Sequence, residues 1–321
     1  MIVTFTANPS IDRTADLSVP LERGGVNRVV TVHDGPGGKG INVSRALALA
    51  GADTMAVFPA PSGDPLVQAV QDSQVRYRLV ECPTRVRTNL TITEPDGTTT
   101  KINEPGATLD ADGQQACLEA LMEAVKPGDW VALCGSLPPG PADHWYAQMI
   151  VELKATGAHV AVDTSDAPLT ALATALETAA PDLLKPNGLE LGQLVGADGP
   201  ALEAAAENGD FSLAVDAAHK LVERGVQAVL ATLGAAGAVL VTRDGGWVGN
   251  PPPITPVSTV GAGDSSLAGL LLAFTRNLEP ADCLRHAVAY GSGATALAGT
   301  GVPGPDQVDL DHTRVTALPL R

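Results

Sequence analysis

The stretch WVALCGSLPPGPADHWYAQMIVELKATGAHVAVDTS, residues 130–165, contains two short apolar runs separated by a helical pattern. The runs WVALCGS (130–136) and HVAVDTS (159–165) have the length and the apolar composition of buried strands. The segment between them, DHWYAQMIVELKATG (143–157), has the length of a helix. Strand, helix and strand in this order predict a βαβ unit, in which the strands are parallel and the crossover is right-handed.

The same alternation continues on both sides of this unit. Further strands are predicted at IVTFTA (2–7), TMAVFPA (54–60), DLLKPN (182–187) and QAVLATLG (227–234). Further helices are predicted at INVSRALALAG (41–51), LDADGQQACLEALMEAV (109–125) and a long alanine-rich stretch that runs through HKLVERG (219–225). Strands that alternate with helices indicate an α/β fold, in which helices cover both faces of a mostly parallel sheet.

Two segments interrupt the alternation. GGVNRVVTVHDG (24–35) and TRVRTNLTITEPDGTTTKINEPG (84–106) are rich in Thr, Val, Arg and Asn and are half polar. Both contain Asp-Gly, which is a signal for a hairpin turn. They predict a separate small sheet with one face in water. We expect one domain over residues 1–321, with a lid formed by about residues 10–35 and 84–106 and inserted in the α/β core.

The composition excludes several classes of protein. The chain has 321 residues, of which 45% are apolar, so it can build a full core. Its formal charge of −16 repels nucleic acids and anionic lipid surfaces, and its aromatic content of 3% is too low for a platform that stacks bases. We therefore expect neither nucleic acid nor a membrane as a partner.

Cysteine usage and the N-terminus indicate where the protein acts. The four cysteines form no CxxC pair and the six histidines form no HExxH motif, which argues against a disulfide framework and a zinc site. The N-terminus has no signal-peptide pattern, and the apolar run LAGLLLAF (267–274) is too short to span a bilayer. A cytoplasmic protein is expected.

The segment VSTVGAGDSSLAGLLLAF (257–274) carries the strongest chemical signal. A Gly-Ala-Gly turn opens an amphipathic helix, and Asp264 lies in the first turn. Free N–H groups and the helix dipole at such a turn favour negative charge, and an aspartate beside it is well placed to be a general base toward a hydroxyl group. The alternative role of Asp264 is that of a simple N-cap.

A second segment, HDGPGGKGINVSRALALAG (33–51), is a glycine-rich loop that enters a helix. Its glycines fit the GxGxxG pattern of dinucleotide-binding proteins, but the preceding strand is polar, and Lys39 is followed by Gly40 instead of the Ser or Thr of a Walker A loop. The segment indicates a turn that binds a phosphate or a polyol, with Lys39 as the cation and Asn42 as an amide. The alternative role of Asn42 is a bond at the helix start.

In the third segment, LLKPNGLEL (183–191), a strand ends and a helix begins. Asn187 and Glu190 are three residues apart on one helical face. An amide and a carboxylate at this spacing suit a hydrated Mg²⁺ near nucleotide phosphates. A capping box formed by the same two side chains is the alternative.

These segments together resemble the ribokinase-type sugar kinases, also called the PfkB carbohydrate kinase family. The resemblance covers about residues 1–303, and an ordered set of motifs carries it. The motifs are TANPSIDRT (6–14), GGKGINVSRAL (37–47), CGSLPPG (134–140), VDTS (162–165), KPNGLEL (185–191), ATLGAAG (231–237) and VSTVGAGDSSLAG (257–269). Their forms look most like the phosphosugar branch of the family. The resemblance implies a doubly wound core with a β-sheet lid that often forms the interface of a homodimer.

The resemblance also implies roles for individual residues. Asp264 is expected to accept the proton of the attacking sugar hydroxyl, and the N–H groups of Gly261, Ala262 and Gly263 are expected to face the transferring phosphoryl group. The residues expected along ATP are Lys185, Asn187, Thr232, Gly234 and Gly263. The residues expected to hold Mg²⁺, through water, are Asn187 and Glu190. The residues expected to contact the sugar are Asp12, Gly38, Lys39, Asn42, Arg87, Lys101 and Ser136.

The implied activity is ATP-dependent phosphorylation of a ketose phosphate. Fructose 1-phosphate is the expected substrate, which would give fructose 1,6-bisphosphate, and tagatose 6-phosphate and fructose 6-phosphate are the alternatives. Lys39, Arg87 and Lys101 all fall in the lid or the first loop, and we expect them to bracket the phosphate of the sugar. Taken singly, each of these three residues is a solvated surface charge on the simplest interpretation.

Two functions of other classes stay open at this point. One is a nicotinamide-dependent oxidoreductase that uses the GxGxxG glycines, although it leaves the GAGD and KPN motifs without a role. The other is a sugar-binding protein without catalytic activity, against which the presence of Asp264 argues.

Overall fold

The computed structural model describes residues 1–318 and contains a ten-stranded and a four-stranded sheet. The strands are β1 (Ile2–Thr6), β2 (Ser10–Leu17), β3 (Val29–Gly37), β4 (Thr54–Ala60), β5 (Tyr77–Glu81), β6 (Arg87–Thr93), β7 (Thr99–Asn103), β8 (Trp130–Cys134), β9 (His159–Asp163), β10 (Leu183–Leu184), β11 (Ala228–Thr232), β12 (Ala238–Thr242), β13 (Gly246–Asn250) and β14 (Arg314–Leu318). The helices are α1 (Lys39–Leu49), α2 (Pro65–Asp72), α3 (Ala111–Ala124), α4 (Trp145–Ala155), α5 (Asp166–Ala179), α6 (Gly188–Val195), α7 (Gly199–Glu207), α8 (Ser212–Glu223), α9 (Ala262–Thr275) and α10 (Pro280–Thr295).

The large sheet has the strand order β14-β13-β12-β11-β10-β9-β8-β1-β4-β5. The strands from β11 to β5 in this order are parallel, and β12, β13 and β14 join antiparallel at the other edge. The predicted βαβ unit is present, because β8 and β9 pair in parallel from Trp130 opposite His159 to Cys134 opposite Asp163, and α4 connects them. The predicted fold class, a mostly parallel sheet with helices and a small additional sheet, is confirmed.

Two apolar layers cover the large sheet. Val131 and Leu133 of β8 pack with α3, α4 and α5, whereas Ala132 and Cys134 of the same strand pack with α1, α9 and α10. A strand that is buried on both faces needs apolar residues at every position. This explains why the central strands read as continuous apolar runs in the sequence.

The strand order reverses at β1, and this reversal positions the site. From β1 the chain builds the sheet outward through β4 and β5 on one side and through β8, β9 and β10 on the other. In open α/β sheets, ligands bind in the crevice at the carboxyl ends of the strands where the order reverses. Here this edge holds Thr6 at the end of β1, Asp163 at the end of β9 and Lys185 directly after β10.

The small sheet has the order β3-β2-β6-β7 and is made of strands from the two segments predicted for the lid; it is called the lid sheet, or lid, below. β2 is parallel to β6 and antiparallel to β3, and β6 is antiparallel to β7. Asp96-Gly97 lies in the turn between β6 and β7, as its hairpin signal predicts. Asp34-Gly35 does not form a turn but lies inside β3, where Asp34 pairs with Arg13. Residues 24–28 precede the strand.

Several boundaries differ from the predictions. The strand predicted at 182–187 contains only Leu183 and Leu184, because Pro186 and the start of α6 follow at once. The alanine-rich stretch forms α7 and α8 instead of one long helix, and it follows α6, which ends at Gly196 with φ 68°. The elements without a sequence prediction are β5, β12, β13, β14, α2, α5 and α10.

Within residues 1–318 every helix is too short or too polar to cross a membrane.

Candidate active site

Asp264 lies in the first turn of α9 but does not cap that helix. Gly261 is the N-cap residue, with a left-handed φ of 79°, and no side chain caps the helix. The carboxylate is 7% exposed, and its Oδ2 accepts a hydrogen bond of 2.9 Å from Asn42 Nδ2. Among the described residues its other oxygen, Oδ1, accepts none. The N-cap alternative for Asp264 is therefore wrong, and one carboxylate oxygen remains available.

Asn42 reaches Asp264 because α1 begins unusually close to the end of β1. Gly38 precedes the helix with φ 111°, and a Cβ there would lie 2.5 Å from Thr6 Cγ2. A Cβ on Gly40 would lie 2.7 Å from the carbonyl oxygen of Phe5. Only glycine permits this conformation and this approach. The side chain of Asn42 bonds to Asp264 and to Arg45 and does not cap its own helix, so its alternative role is wrong too.

Asp163 joins two lysines at the carboxyl edge of the sheet. Its carboxylate is fully buried; Oδ1 accepts a hydrogen bond of 2.7 Å from Lys39 Nζ, and Oδ2 lies 3.1 Å from Lys185 Nζ. A Cβ on Gly263 would lie 3.3 Å from Lys185 Nζ, so this ammonium group sits against the first turn of α9. We call Lys39, Asn42, Asp163, Lys185 and Asp264 the catalytic cluster.

The charges of the catalytic cluster set its protonation. Burial raises the pKa of Asp264 to about 6; Asp163 raises it further, while Lys39, Asn42 and Lys185 lower it. Burial also acts to raise the pKa of Asp163, but the two lysines outweigh it and the pKa is lowered. Burial acts to lower the pKa of Lys39, but Asp163 and Asp264 outweigh it and the pKa is raised. Asp163 is therefore charged at neutral pH, and Asp264 is a base poised close to neutrality.

Asn187 and Glu190 form a capping box at the start of α6. Asn187 Oδ1 accepts from the backbone N–H of Glu190, and Glu190 Oε2 accepts from the backbone N–H of Asn187, both at 2.8 Å. The capping alternative is thus realised. Burial raises the pKa of Glu190, and Asp163 raises it further, which places this carboxylate within electrostatic reach of the catalytic cluster.

The remaining residues expected along ATP lie on the adjacent strand. Thr232 ends β11 and pairs with Asn187 in an isolated parallel bridge. Gly234 follows with φ 57° and starts a short 3₁₀ turn. Lys185, Asn187, Thr232 and Gly263 are thus brought to one edge of the sheet. Ser136 is half-buried directly after β8, and its side chain makes no hydrogen bond within residues 1–318.

Asp12, Arg87 and Asn89 share one face of the lid sheet, and we call them the lid cluster. Register places Asp12 opposite Asn89, and Asp12 Oδ1 accepts hydrogen bonds from Asn89 Nδ2 and from Ser10 Oγ. Arg87 donates from Nη1 to the carbonyl of Glu104 and from Nη2 to that of Asn8. Its buried Nε and the buried Oδ1 of Asn89 have no partner among the described residues.

The structure separates the three cations that the sequence groups together. Lys101 lies on the same lid face as Arg87, but its side chain is exposed and forms no ion pair within residues 1–318. Lys39 pairs with Asp163 at the sheet edge and belongs to the catalytic cluster. The contacts of Lys39 thus differ from the expectation that it brackets a phosphate together with Arg87.

Three residues that the sequence analysis did not select contribute to the site. Asp163 joins the two lysines, Arg45 contacts Asn42, and Asn89 contacts Asp12. A signal existed for Asp163, since a carboxylate directly at the carboxyl end of a predicted buried strand faces the crevice of such a sheet. Arg45 lies three residues after Asn42 on α1, so their spacing was a signal as well. The contact of Asn89 with Asp12 depends on the pairing of β2 with β6 and carries no local signal.

Comparisons with known proteins identify the family and the fold. The model of the pfkB family of carbohydrate kinases matches residues 6–307. A 1-phosphofructokinase of Rhodobacter capsulatus is 38% identical over 99% of this chain and 98% of its own. The ATP-dependent 6-phosphofructokinase isozyme 2 of Escherichia coli is 33% identical over 93% and 94%. The crystal structure of phosphofructokinase-2 from Escherichia coli in complex with substrates and products superposes with a TM-score of 0.84, at 31% identity over 95% and 96%.

Proposed function

The chain belongs to the pfkB family of carbohydrate kinases and is an ATP-dependent sugar-phosphate kinase, and on this premise we propose that its substrate is fructose 1-phosphate. The reaction transfers the γ-phosphoryl group of ATP to the C6 hydroxyl and yields fructose 1,6-bisphosphate and ADP. The single observation that carries the proposal is a buried Asp264, with a pKa of about 6 and one free oxygen, at the start of α9. Relatives named 1-phosphofructokinase support the choice of sugar.

The chemistry follows from the catalytic cluster. Asp264 Oδ1 accepts the proton of the attacking hydroxyl as the oxygen–phosphorus bond forms. The N–H groups of Gly261 and Gly263 face the transferring phosphoryl group, whose charge the positive end of the helix dipole favours. The N–H of Ala262 makes a long bond of 3.4 Å to the carbonyl oxygen of Thr259 and would exchange it for the phosphoryl group. Lys185, next to Gly263, adds a positive charge there. Phosphoryl transfer depends mostly on positioning and on charge stabilisation, and this cluster can provide both.

The lid cluster is suited to hold the sugar. We assign the hydroxyl groups of the sugar to Asp12 and Asn42, with further contacts from the backbone at Gly38 and from Ser136. Arg87 is assigned to the phosphate, because its buried Nε has no partner in the described residues. A guanidinium group binds phosphate through two parallel hydrogen bonds. The exposed Lys101 on the same face adds a second positive charge.

Mg²⁺ is part of the proposal, and the residues present fit it only through water. Within residues 1–318 no cluster of three or more His, Cys, Asp or Glu residues can hold a metal ion. Glu190 Oε2 and Asn187 Oδ1 are used in the capping box, but Glu190 Oε1 accepts no hydrogen bond from the described residues. Mg²⁺ keeps several waters and prefers phosphate and carboxylate oxygens. When bound with ATP it neutralises phosphate charge, and Glu190 would hold one of its waters.

We also propose a homodimer formed through the lid. Val32 and Ile102 lie on the lid face opposite to Asp12 and are 48% and 55% exposed, and Val29 and Val30 are exposed beside them. An exposed apolar face on a small sheet requires covering. A second copy of the lid would cover it. Residues 1–321 would then act as one kinase domain per subunit, in the reducing cytoplasm that four free cysteines suit.

A coupled assay of ADP release tests the substrate. Fructose 1-phosphate, fructose 6-phosphate, tagatose 6-phosphate and unphosphorylated fructose and ribose are compared at equal concentration, with Asp264→Asn as the blank. We expect the highest kcat/KM with fructose 1-phosphate. Preference for fructose 6-phosphate or tagatose 6-phosphate would replace the substrate and keep the phosphosugar assignment. Preference for an unphosphorylated sugar would overturn that assignment.

A further inference from the structure

Arg45 contacts the side chain of Asn42 on the side opposite to Asp264. Arg45 Nη1 donates a hydrogen bond of 3.3 Å to Asn42 Oδ1, while Asn42 Nδ2 donates one of 2.9 Å to Asp264 Oδ2. Two hydrogen bonds thus link the three side chains in the order Arg45, Asn42, Asp264. The first bond lies within α1, and the second crosses from α1 to α9. The amide of Asn42 is 5% exposed, so water has little access to replace either bond.

The bond from Arg45 selects one of the two orientations of this amide. An asparagine side chain presents an acceptor on one side and donors on the other. A guanidinium group has donors alone, so it requires Oδ1 on its side and thereby turns Nδ2 toward the carboxylate. The flipped amide would place Oδ1 against the oxygen of Asp264 and NH₂ against the guanidinium group, and both contacts would be repulsive.

Arg45 is itself fixed by a second bond. The same Nη1 donates, at 3.3 Å, to the carbonyl oxygen of Thr300, in the loop that follows α10. A Cβ on Gly35 of the lid strand β3 would lie 3.9 Å from Thr300 Oγ1, so this loop lies between Arg45 and the lid. Burial lowers the pKa of Arg45 and Asp12 opposes this, but the guanidinium group remains charged at any pH that the protein meets.

We propose that Arg45 is a positioning residue, which holds the Asn42 amide in the orientation that ties Asp264 Oδ2 and leaves Oδ1 free for the sugar hydroxyl. This inference depends on one part of the proposed function, namely that Asp264 acts as the base. Arg45 does not touch the reacting atoms in this assignment. Its effect on turnover therefore passes through Asn42, and this dependence can be measured.

A double-mutant cycle tests the proposal. Arg45→Met, Asn42→Ala and the double variant are purified, and circular dichroism confirms that each is folded. We expect Arg45→Met to lower kcat roughly 3- to 30-fold in the wild-type background, which lies within the range for coupled side chains in contact. In the Asn42→Ala background the same change should alter kcat by less than about twofold. Equal effects in both backgrounds would overturn the proposal.

The pH profile provides a readout that a purely structural role would not move. Asp264 is faced by Lys39, Asp163 and Lys185 as well as by Asn42, and Arg45→Met leaves the first three in place. Weakening the Asn42 bond should move the acid limb of kcat/KM to higher pH in the single variant, with no further movement in the Asn42→Ala background. If the limb moves equally in both, Arg45 acts through its charge alone, and the proposal is wrong.

Two further variants complete the design. Arg45→Lys keeps a donor and the charge, and should recover most of the lost kcat. Arg285→Met removes an arginine whose ion pair with Asp282 lies at the start of α10, and should leave kcat unchanged. A raised KM for the sugar with unchanged kcat in Arg45→Met would assign Arg45 to substrate binding instead. If the wild type prefers another sugar, the proposed substrate fails, but the cycle is still run with that sugar and tests Arg45 independently.

Discussion

The catalytic cluster lies at the carboxyl edge of the large sheet and the lid cluster lies on the small sheet, and the two are built in opposite ways. Asp163, Lys185 and Asp264 are buried at the ends of core elements. Asp163 forms an ion pair with Lys185, and Asp264 accepts a hydrogen bond from Asn42. The lid cluster lies on a half-exposed sheet, and Arg87 Nε and Asn89 Oδ1 lack partners within the described residues. Charges that the protein holds in place before the reaction suit phosphoryl transfer, the step that all kinases of this class share. Hydrogen-bond donors and acceptors without a protein partner suit the recognition of one particular sugar.

The largest expected effect lies in the catalytic cluster. Asp264→Asn keeps the shape of the side chain and removes the base, so kcat should fall by roughly 10²–10⁴. The dissociation constant of ATP, measured by calorimetry, should hardly change, because the lysines stay in place. If the variant kept more than half of normal turnover, Asp264 would not be the catalytic base. The contrast between the two clusters would then fail as well.

In the lid cluster, Arg87→Ala should act on the sugar phosphate and not on ATP. Loss of a charge-assisted contact costs roughly 1.5–3 kcal/mol, or about 10- to 150-fold in kcat/KM for the phosphosugar. Lys101→Met is the matched control on the same face, and should cost less because its side chain is exposed. Steady-state kinetics with each substrate varied in turn measures both. Equal losses for ATP and sugar would show that Arg87 supports the lid instead of binding phosphate.

The dependence of the rate on pH sharpens the comparison. Asp264 must be deprotonated to accept a proton, and its pKa is about 6. The logarithm of kcat/KM should therefore be flat above that pH and fall as the pH drops below it, about tenfold per pH unit. In Arg87→Ala the limb should not move, since Arg87 is not among the groups that shift the pKa of Asp264. A limb that moves with Arg87 would couple the two clusters.

The smallest effect is expected at Glu190, which serves both the helix cap and, on our proposal, a magnesium-bound water. Glu190→Gln keeps an oxygen for the cap but loses the charge, so the Mg²⁺ concentration for half-maximal rate should rise a few-fold, about the effect of one charge partly screened by water. The KM of the sugar should not change. If Mg²⁺ dependence is unaltered, the capping box is the whole role of Glu190.

The sequence predicted the parts of the molecule that depend on local pattern. Continuous apolar runs identify strands buried on both faces, and the turn at 261–263 before an apolar helix identifies the start of α9. The three antiparallel strands at the sheet edge escaped prediction; all five residues of β14 are partly buried or exposed, without regular alternation. Alanine favours helix but marks no face, so the break between α7 and α8 was not visible.

The site was predictable in its residue types but not in its pairings. Asp264, Asn42 and Lys185 follow from motifs, whereas the joining of Lys39 and Lys185 by Asp163 depends on strands and a helix far apart in sequence. The same holds for the separation of Lys39 from Arg87. Lys39, Arg87 and Lys101 were grouped because all three fall in the lid or the first loop, but Lys39 pairs with Asp163 at the sheet edge and Arg87 bonds to backbone carbonyls beside the lid.

Two of the connections between the lid and the core are very short. Three residues separate the end of β1 at Thr6 from the start of β2 at Ser10, and Gly38 alone separates β3 from α1. Because Gly38 is the whole connection between β3 and α1, a displacement of β3 would also displace the first turn of α1, which carries Lys39 and Asn42. The position of the small sheet and the geometry of these two side chains are therefore linked through the backbone. Residues inserted at Gly38 would loosen this link.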